Sequence, residues 1–324
     1  MQLIGNVNRM GKNMTLDKLA VSLNVFVESD STFQRRARIL QAMWRKDRDI
    51  SCGVRPSGDQ PLGSCIPMPW AKEALENYIT ETIRDVVRAE VCDPVASAGK
   101  LYGKPRIFDN LLSSQPLCFN LFGELTHDLD LASAAVNSLS DGRFTEVTSI
   151  AFEYSPGRGD ARYLNDRSAF DVFVHCRTAD GGTGFLGIEV KYHEDLTGTA
   201  DENKERYDEV ADQMGCFAED RGRLKASPLQ QIWRDHLLAG ITRIVDNYDD
   251  GMFVMLYPQN NPRVSSAIDN YRAQLLSDET FAAWTMEDLV DKLREHSNAP
   301  WIELFRERYL AFEKIDQRLT GTTG

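Results

Sequence analysis

The 324-residue sequence predicts an α/β chain whose elements between residues 116 and 258 run helix–strand–strand–strand–helix–strand. Three observations carry that expectation. Apolar residues at helical spacing lie on either side of the region. Three short β-branched and aromatic stretches lie within it, and a Gly-rich turn, TADGGTG, separates the last two. Hydrophobic and charged contents of 42% and 27% are ordinary globular values, which excludes wholesale disorder. No apolar run approaches the ~18 residues of a membrane span, Met252–Leu256 being among the longest. The start, MQLIGNVNRMGKNM, lacks the apolar segment and cleavage site of a secretory signal, so a cytoplasmic location is expected. Six cysteines without a CxxC pair, and only five histidines, argue against a zinc site or a disulfide framework.

Along the chain, a helix is expected at about 32–47, followed by the Gly/Pro-rich loop RPSGDQPLGSCIPMP. Beyond Pro69, Trp70/Ala71, Ala74/Leu75, Tyr78/Ile79, Ile83, Val86/Val87 and Val91 recur at helical spacing and predict a helix over 69–91. A turn region, 93–110, precedes a second helix marked by Leu117, Leu121, Leu125, Ala132, Val136 and Leu139 and opened by Pro116. Strands follow at 144–154, 168–177 and 184–192, the last two joined by a hairpin in which Asp180, Gly181 and Gly182 supply positive-φ positions. Leu229, Ile232/Trp233, Leu237, Ile241 and Ile244/Val245 trace a further helix. Gly251 leads into the strand MFVMLYP, and 263–318 reads as helices before a loose TGTTG tail. The expected division is an N-terminal helical region (1–95) packed on a core (96–262), with a C-terminal helical extension (263–324).

The net charge of −12 argues at first against a nucleic-acid partner. Its distribution weakens the objection, because residues 193–220 carry ten acids against Lys204 and Arg206 and supply −8 of the total. Basic clusters lie elsewhere, in Arg35, Arg36, Arg38, Arg45, Lys46 and Arg48, and again in Lys100, Lys104 and Arg106. Either could track phosphates or form a solvated face.

The chemistry concentrates in the hairpin. Period two places Phe185, Gly187, Glu189 and Lys191 on one face of the third strand. A turn centred on Asp180 pairs residues whose numbers sum to 360, as Asp171 and Glu189 do; a slip of one or two residues would still leave the two carboxylates near neighbours. Like charges about 5 Å apart repel, and a hard divalent cation with Lys191 beside it would resolve the conflict. Glu-x-Lys alone is a weak signal that often marks a solvated strand edge. The hydrophobic strand, the hairpin partner and the Asp in register give it weight.

Asp171 and Glu189-Val190-Lys191, set in LLSSQPLCFNLFGEL, RYLNDRSAFDVFV and GFLGIEVKYHEDL, resemble the PD-(D/E)xK nuclease superfamily and its bacterial restriction-endonuclease-like members. Ala169-Phe170 precede Asp171 where a proline is nominal. The resemblance implies a restriction-endonuclease-like core, a mixed central sheet in αβββαβ order flanked by helices, with further N- and C-terminal helices. It implies Mg²⁺- or Mn²⁺-dependent hydrolysis of DNA, with Asp171 and Glu189 as ligands, the Val190 carbonyl as a third, and Lys191 at the nucleophile. By the same resemblance Glu124, placed in the helix before the strands, completes the metal site; a surface helix acid is the competing reading. Gln230 and Arg234, four apart on one helix face, support the scissile phosphate or merely cap and face solvent. Arg158 and Arg162, in the loop PGRGDARYLNDR, join Arg35, Arg36, Arg38 and Lys104 as candidate phosphate contacts. His193 is either a proton carrier or structural. The expected function is a DNA endonuclease of the restriction or phage-defence type. The alternatives are an inactive nucleic-acid-binding protein on the same core, or a nuclease for RNA or branched DNA. A homodimer would supply a second cut, though no interface is legible.

Overall fold

A computed structural model describes residues 14–55 and 58–321. The segment read for a secretory signal therefore lies outside the described residues, apart from Met14, as does the end of the TGTTG tail. A five-stranded mixed sheet organises the chain. Its strands are Phe144–Tyr154, Phe170–Thr178, Thr183–Val190, Asp250–Tyr257 and Phe281–Thr285, adjacent in that order. The first three are antiparallel, and the last two run parallel to the third. Helices Glu205–Met214 and Gln230–Val245 form the crossover between the third and fourth strands, as parallel pairing requires.

The sheet is buried on both faces. Val172, Val174, Leu186, Ile188, Val190 and Tyr192 pack into one core with the helices before the sheet and with the C-terminal helices. Phe173 and Phe185 point the other way, into a second core with Tyr207, Trp233, Leu237 and Tyr271. The ring of Phe170 lies across the third strand at Gly187, where a Cβ would come within 2.5 Å of it. Glycine at that position permits the close approach.

Several elements differ from expectation. The helix foreseen over 69–91 is interrupted. Trp70–Ala74 ends at Leu75 in the left-handed region (φ 52°), and Glu81–Val87 restarts under a Thr80 N-cap before a π-helical turn, Arg88–Cys92. Tyr78 lies between them because its hydroxyl donates to the Ile107 carbonyl at 2.8 Å. The second helix is likewise two, Ser114–Phe122 and Leu129–Leu139, the latter capped by Asp128. In the hairpin turn Gly181 alone takes positive φ, at 86°. The expected C-terminal helices are broken by Phe281–Thr285, which joins the sheet. Among the described residues, no helix is long and apolar enough to cross a membrane.

The second core contains one polar group with a measurable consequence. His236 is fully buried, its ring nitrogens 2.8 Å from Tyr271 Oη and 2.8 Å from Thr280 Oγ1. Burial pulls its pKa from 6.5 to about 3. The unfolded chain therefore binds the extra proton first, so this group's contribution is complete above pH 6.5 and lost as the pH falls toward 3. His236→Gln should flatten the acid limb of a melting-temperature profile in that window. An unchanged limb would assign acid sensitivity elsewhere.

Candidate active site

The second and third strands pair with residue numbers summing to 360, from Arg177↔Thr183 to Val172↔Ile188. Continuing that register brings Asp171 to Glu189. The Val190 N–H donates to Asp171 Oδ2 at 2.9 Å, tying the first carboxylate to the third strand. Glu189 and Lys191 are 7% and 8% exposed, with Lys191 Nζ 2.7 Å from Glu189 Oε1. The same oxygen accepts from Gln231 Nε2 at 2.7 Å. The strand end beyond Lys191 is held by Asn261, whose Nδ2 donates to the carbonyls of Tyr192 (3.2 Å) and Glu194 (3.0 Å).

The electrostatics show an unresolved repulsion. Burial and then the Glu189 charge push the Asp171 carboxyl well above its usual range, against Lys191 and the Val190 N–H. For Lys191, burial acts to lower the pKa, but Glu189, Glu194 and Asp171 outweigh it and hold the ammonium charged. Beneath the pair, burial and the charges of Asp171 and Glu189 raise the Cys118 thiol well above its ordinary value, which removes it as a nucleophile.

The donor set fits a hard cation. Asp171 Oδ1 and Glu189 Oε2 accept no hydrogen bond among the described residues, so each carboxylate keeps one oxygen free. Among those residues no group of three His, Cys, Asp or Glu could hold a metal ion. A Mg²⁺-like ion is compatible with that, since it usually takes one or two carboxylates and completes its shell with water and substrate oxygens.

Other expected residues are placed differently. Glu124 follows the helix instead of lying in it, in a 3₁₀ turn where its Oε1 accepts from Thr80 Oγ1 at 2.5 Å. Glu153, from the first strand, is the additional acid that Asp171 feels; it sits 3.5 Å from Arg158 and accepts from the Leu101 N–H. Gln230 turns away from Glu189. Its amide clamps the 201–203 loop, accepting from Asp201 N at 2.6 Å and donating to Asn203 Oδ1 at 3.0 Å. Arg234 pairs with Asp201 on that loop. The helix face that reaches Glu189 carries Gln231 and Asp235. Sequence spacing could not choose between the two faces, because this helix is buried on most sides and its apolar pattern has no clear phase.

The basic helix Thr32–Lys46 is largely committed internally. Arg35 pairs with Asp17 and donates to the Val27 carbonyl, Arg36 pairs with Asp316, and Arg38 pairs with Asp30. Arg45 is buried and donates to the carbonyls of Gly63 and Ile50. Arg162 pairs with Asp160 at 2.6 Å. Lys104 is exposed, with only a 3.4 Å bond to the Val91 carbonyl, and Arg167 stands exposed at a cleft shared with Lys204 and Arg234. His193 Nδ1 is buried without a hydrogen bond, 3.7 Å from Glu194.

A family model described as PD-(D/E)XK nuclease superfamily matches residues 28–311. No curated protein and no solved structure matches the chain.

Proposed function

Because the chain belongs to the PD-(D/E)XK nuclease superfamily, we propose that it is a divalent-metal-dependent endonuclease hydrolysing DNA phosphodiester bonds. The observation that carries this reading is the pair Asp171 and Glu189, each with one free oxygen, beside a Lys191 held charged. Asp171 and Glu189 would hold Mg²⁺ or Mn²⁺, with the Val190 carbonyl as the third ligand that the resemblance implies. Such an ion supplies acidification of water and neutralises charge developing on phosphorus. Glu189 fixes Lys191 Nζ, and Gln231 fixes Glu189, so the ammonium is preorganised before substrate arrives. Lys191 then stabilises the negative charge that grows on the attacking and phosphoryl oxygens, where it is worth more than in the ground state. No protein nucleophile is needed, and the raised Cys118 thiol offers none.

With Arg35, Arg36 and Arg38 paired internally, the exposed Lys104 and Arg167 are the better phosphate contacts. The resemblance to bacterial restriction-endonuclease-like proteins supports a restriction or phage-defence setting. The test is incubation of supercoiled plasmid, single-stranded DNA and RNA with Mg²⁺ and with excess EDTA. Plasmid nicking that requires Mg²⁺ is expected. Cutting that persists fully in chelator, or binding to DNA without any cutting, would overturn the proposal; cleavage of RNA alone would reassign the substrate.

A further inference from the structure

The buried acid Asp235 has no role in the scheme above. It lies on the helix Gln230–Val245, one turn beyond Gln231 and on the same face, and Gln231 is bonded to Glu189. Asp235 is 3% exposed, and its Oδ2 has no hydrogen-bond partner. Its other oxygen has only the Arg234 Nε, at 3.9 Å, too far for a hydrogen bond. A carboxyl group removed from water and left without a donor or acceptor costs stability, a cost that a partner present only in the working protein would offset. The electrostatics place it beside the centre, since after burial the Glu189 charge is the largest influence on it. The Glu189 charge thus acts on two acids, Asp171 from the strand and Asp235 from the helix.

Asp235 is not a third direct ligand, because among the described residues no three such side chains are placed to hold one ion. A hydrated cation offers it another role. Mg²⁺ dehydrates reluctantly and keeps several waters, each of which needs an acceptor for its hydrogens. We propose that Asp235 is an outer acceptor for the divalent cation held by Asp171 and Glu189, binding the ion's hydration water instead of the ion, an inference that rests on the endonuclease reading above. It is a positioning residue: it orders the hydrated ion and makes the centre prefer Mg²⁺ over ions that shed water more readily.

The experiment is calorimetric titration of Mg²⁺ and of Mn²⁺ into the metal-free full chain, for wild type, Asp235→Asn, Asp235→Leu and Asp171→Asn. Both Asp235 variants should weaken Mg²⁺ binding roughly ten- to hundredfold, the range for outer-shell partners. Mn²⁺, which releases water more easily, should be weakened less. The metal-free melting temperature of Asp235→Asn should be unchanged or raised, since a buried acid without a hydrogen-bond partner is replaced by a neutral isostere. Unchanged Mg²⁺ affinity, or an equal loss for both ions, would make Asp235 a bystander charge and overturn the assignment. Failure of both Asp235 variants to fold without metal would make it a structural acid and overturn it too. If instead wild type does not bind Mg²⁺, or Asp171→Asn binds it undiminished, the endonuclease reading itself fails, and this inference falls with it.

Discussion

Asp171→Asn should abolish cleavage while leaving the metal-free protein as stable as wild type or more so, and Glu189→Ala should abolish cleavage while lowering stability. The two carboxylates differ in what holds them. Asp171 accepts one main-chain N–H, a bond that asparagine keeps, and its charge is opposed by Glu189. Glu189 is the acceptor for both Lys191 and Gln231, so its loss strands a buried ammonium, at a cost of about 3–5 kcal/mol. The pH dependence follows from the raised Asp171 pKa. Stability from this group is fully present below its unfolded value of 3.8 and is lost as the pH rises through the folded value. Metal-free wild type should therefore lose stability as the pH rises above 3.8, and Asp171→Asn should lose less. Added Mg²⁺ should raise the wild-type melting temperature and leave that of Asp171→Asn unmoved. Lys191→Met should retain metal binding and lower turnover on the order of 10²-fold or more. Normal cutting by Asp171→Asn together with a wild-type response to Mg²⁺ would reduce these residues to strand charges.

Arg308→Ala should be the most destabilising single change away from the centre, by at least about 3 kcal/mol. Arg308 is fully buried, and no ion pair to it exists among the described residues. Its guanidinium is satisfied by neutral acceptors instead, with Nε 3.1 Å from Gln41 Oε1 and Nη1 2.6 Å from the Asn77 carbonyl. It also lies 4.0 Å from the Trp44 ring centroid and 4.6 Å from that of Tyr309. Gln41 in turn donates to Tyr192 Oη at 3.1 Å, and Tyr192 directly follows Lys191. The network thus ties helices Thr32–Lys46 and Pro300–Tyr309 and the 75–80 turn to the segment that follows the third strand and carries Lys191. Alanine would leave a cavity and several buried acceptors without donors, and Arg308→Met, which refills the volume, should recover part of the loss. Thermal unfolding of both variants with and without Mg²⁺ checks this, since the loss should be independent of the ion. A melting temperature within a degree or two of wild type for Arg308→Ala would show the network to be dispensable.

The sequence by itself determined the hairpin and therefore the heart of the candidate site. A short turn leaves the pairing little freedom, so TADGGTG brings Asp171 near Glu189, and period two puts Lys191 on the face of Glu189. The positions of the first four strands were legible for the same reason, because local patterning and turn chemistry are short-range, whereas the mixed sheet was implied by the family resemblance. Tertiary structure decided what depends on distant partners. Phe281–Thr285 is a strand only because Asp250–Tyr257 offers it an edge. The 69–91 pattern breaks because Tyr78 finds a carbonyl on a segment 29 residues away. Arg35, Arg36 and Arg38 read as a basic face until Asp17, Asp316 and Asp30 fold against them. Arg308, in a run as polar as FRERY, is interior because Gln41 and Asn77 supply its acceptors. Gln231 and Asp235, not Gln230 and Arg234, face Glu189 because the rotation of a helix buried on most sides is set by what packs around it, and no spacing within the helix records that.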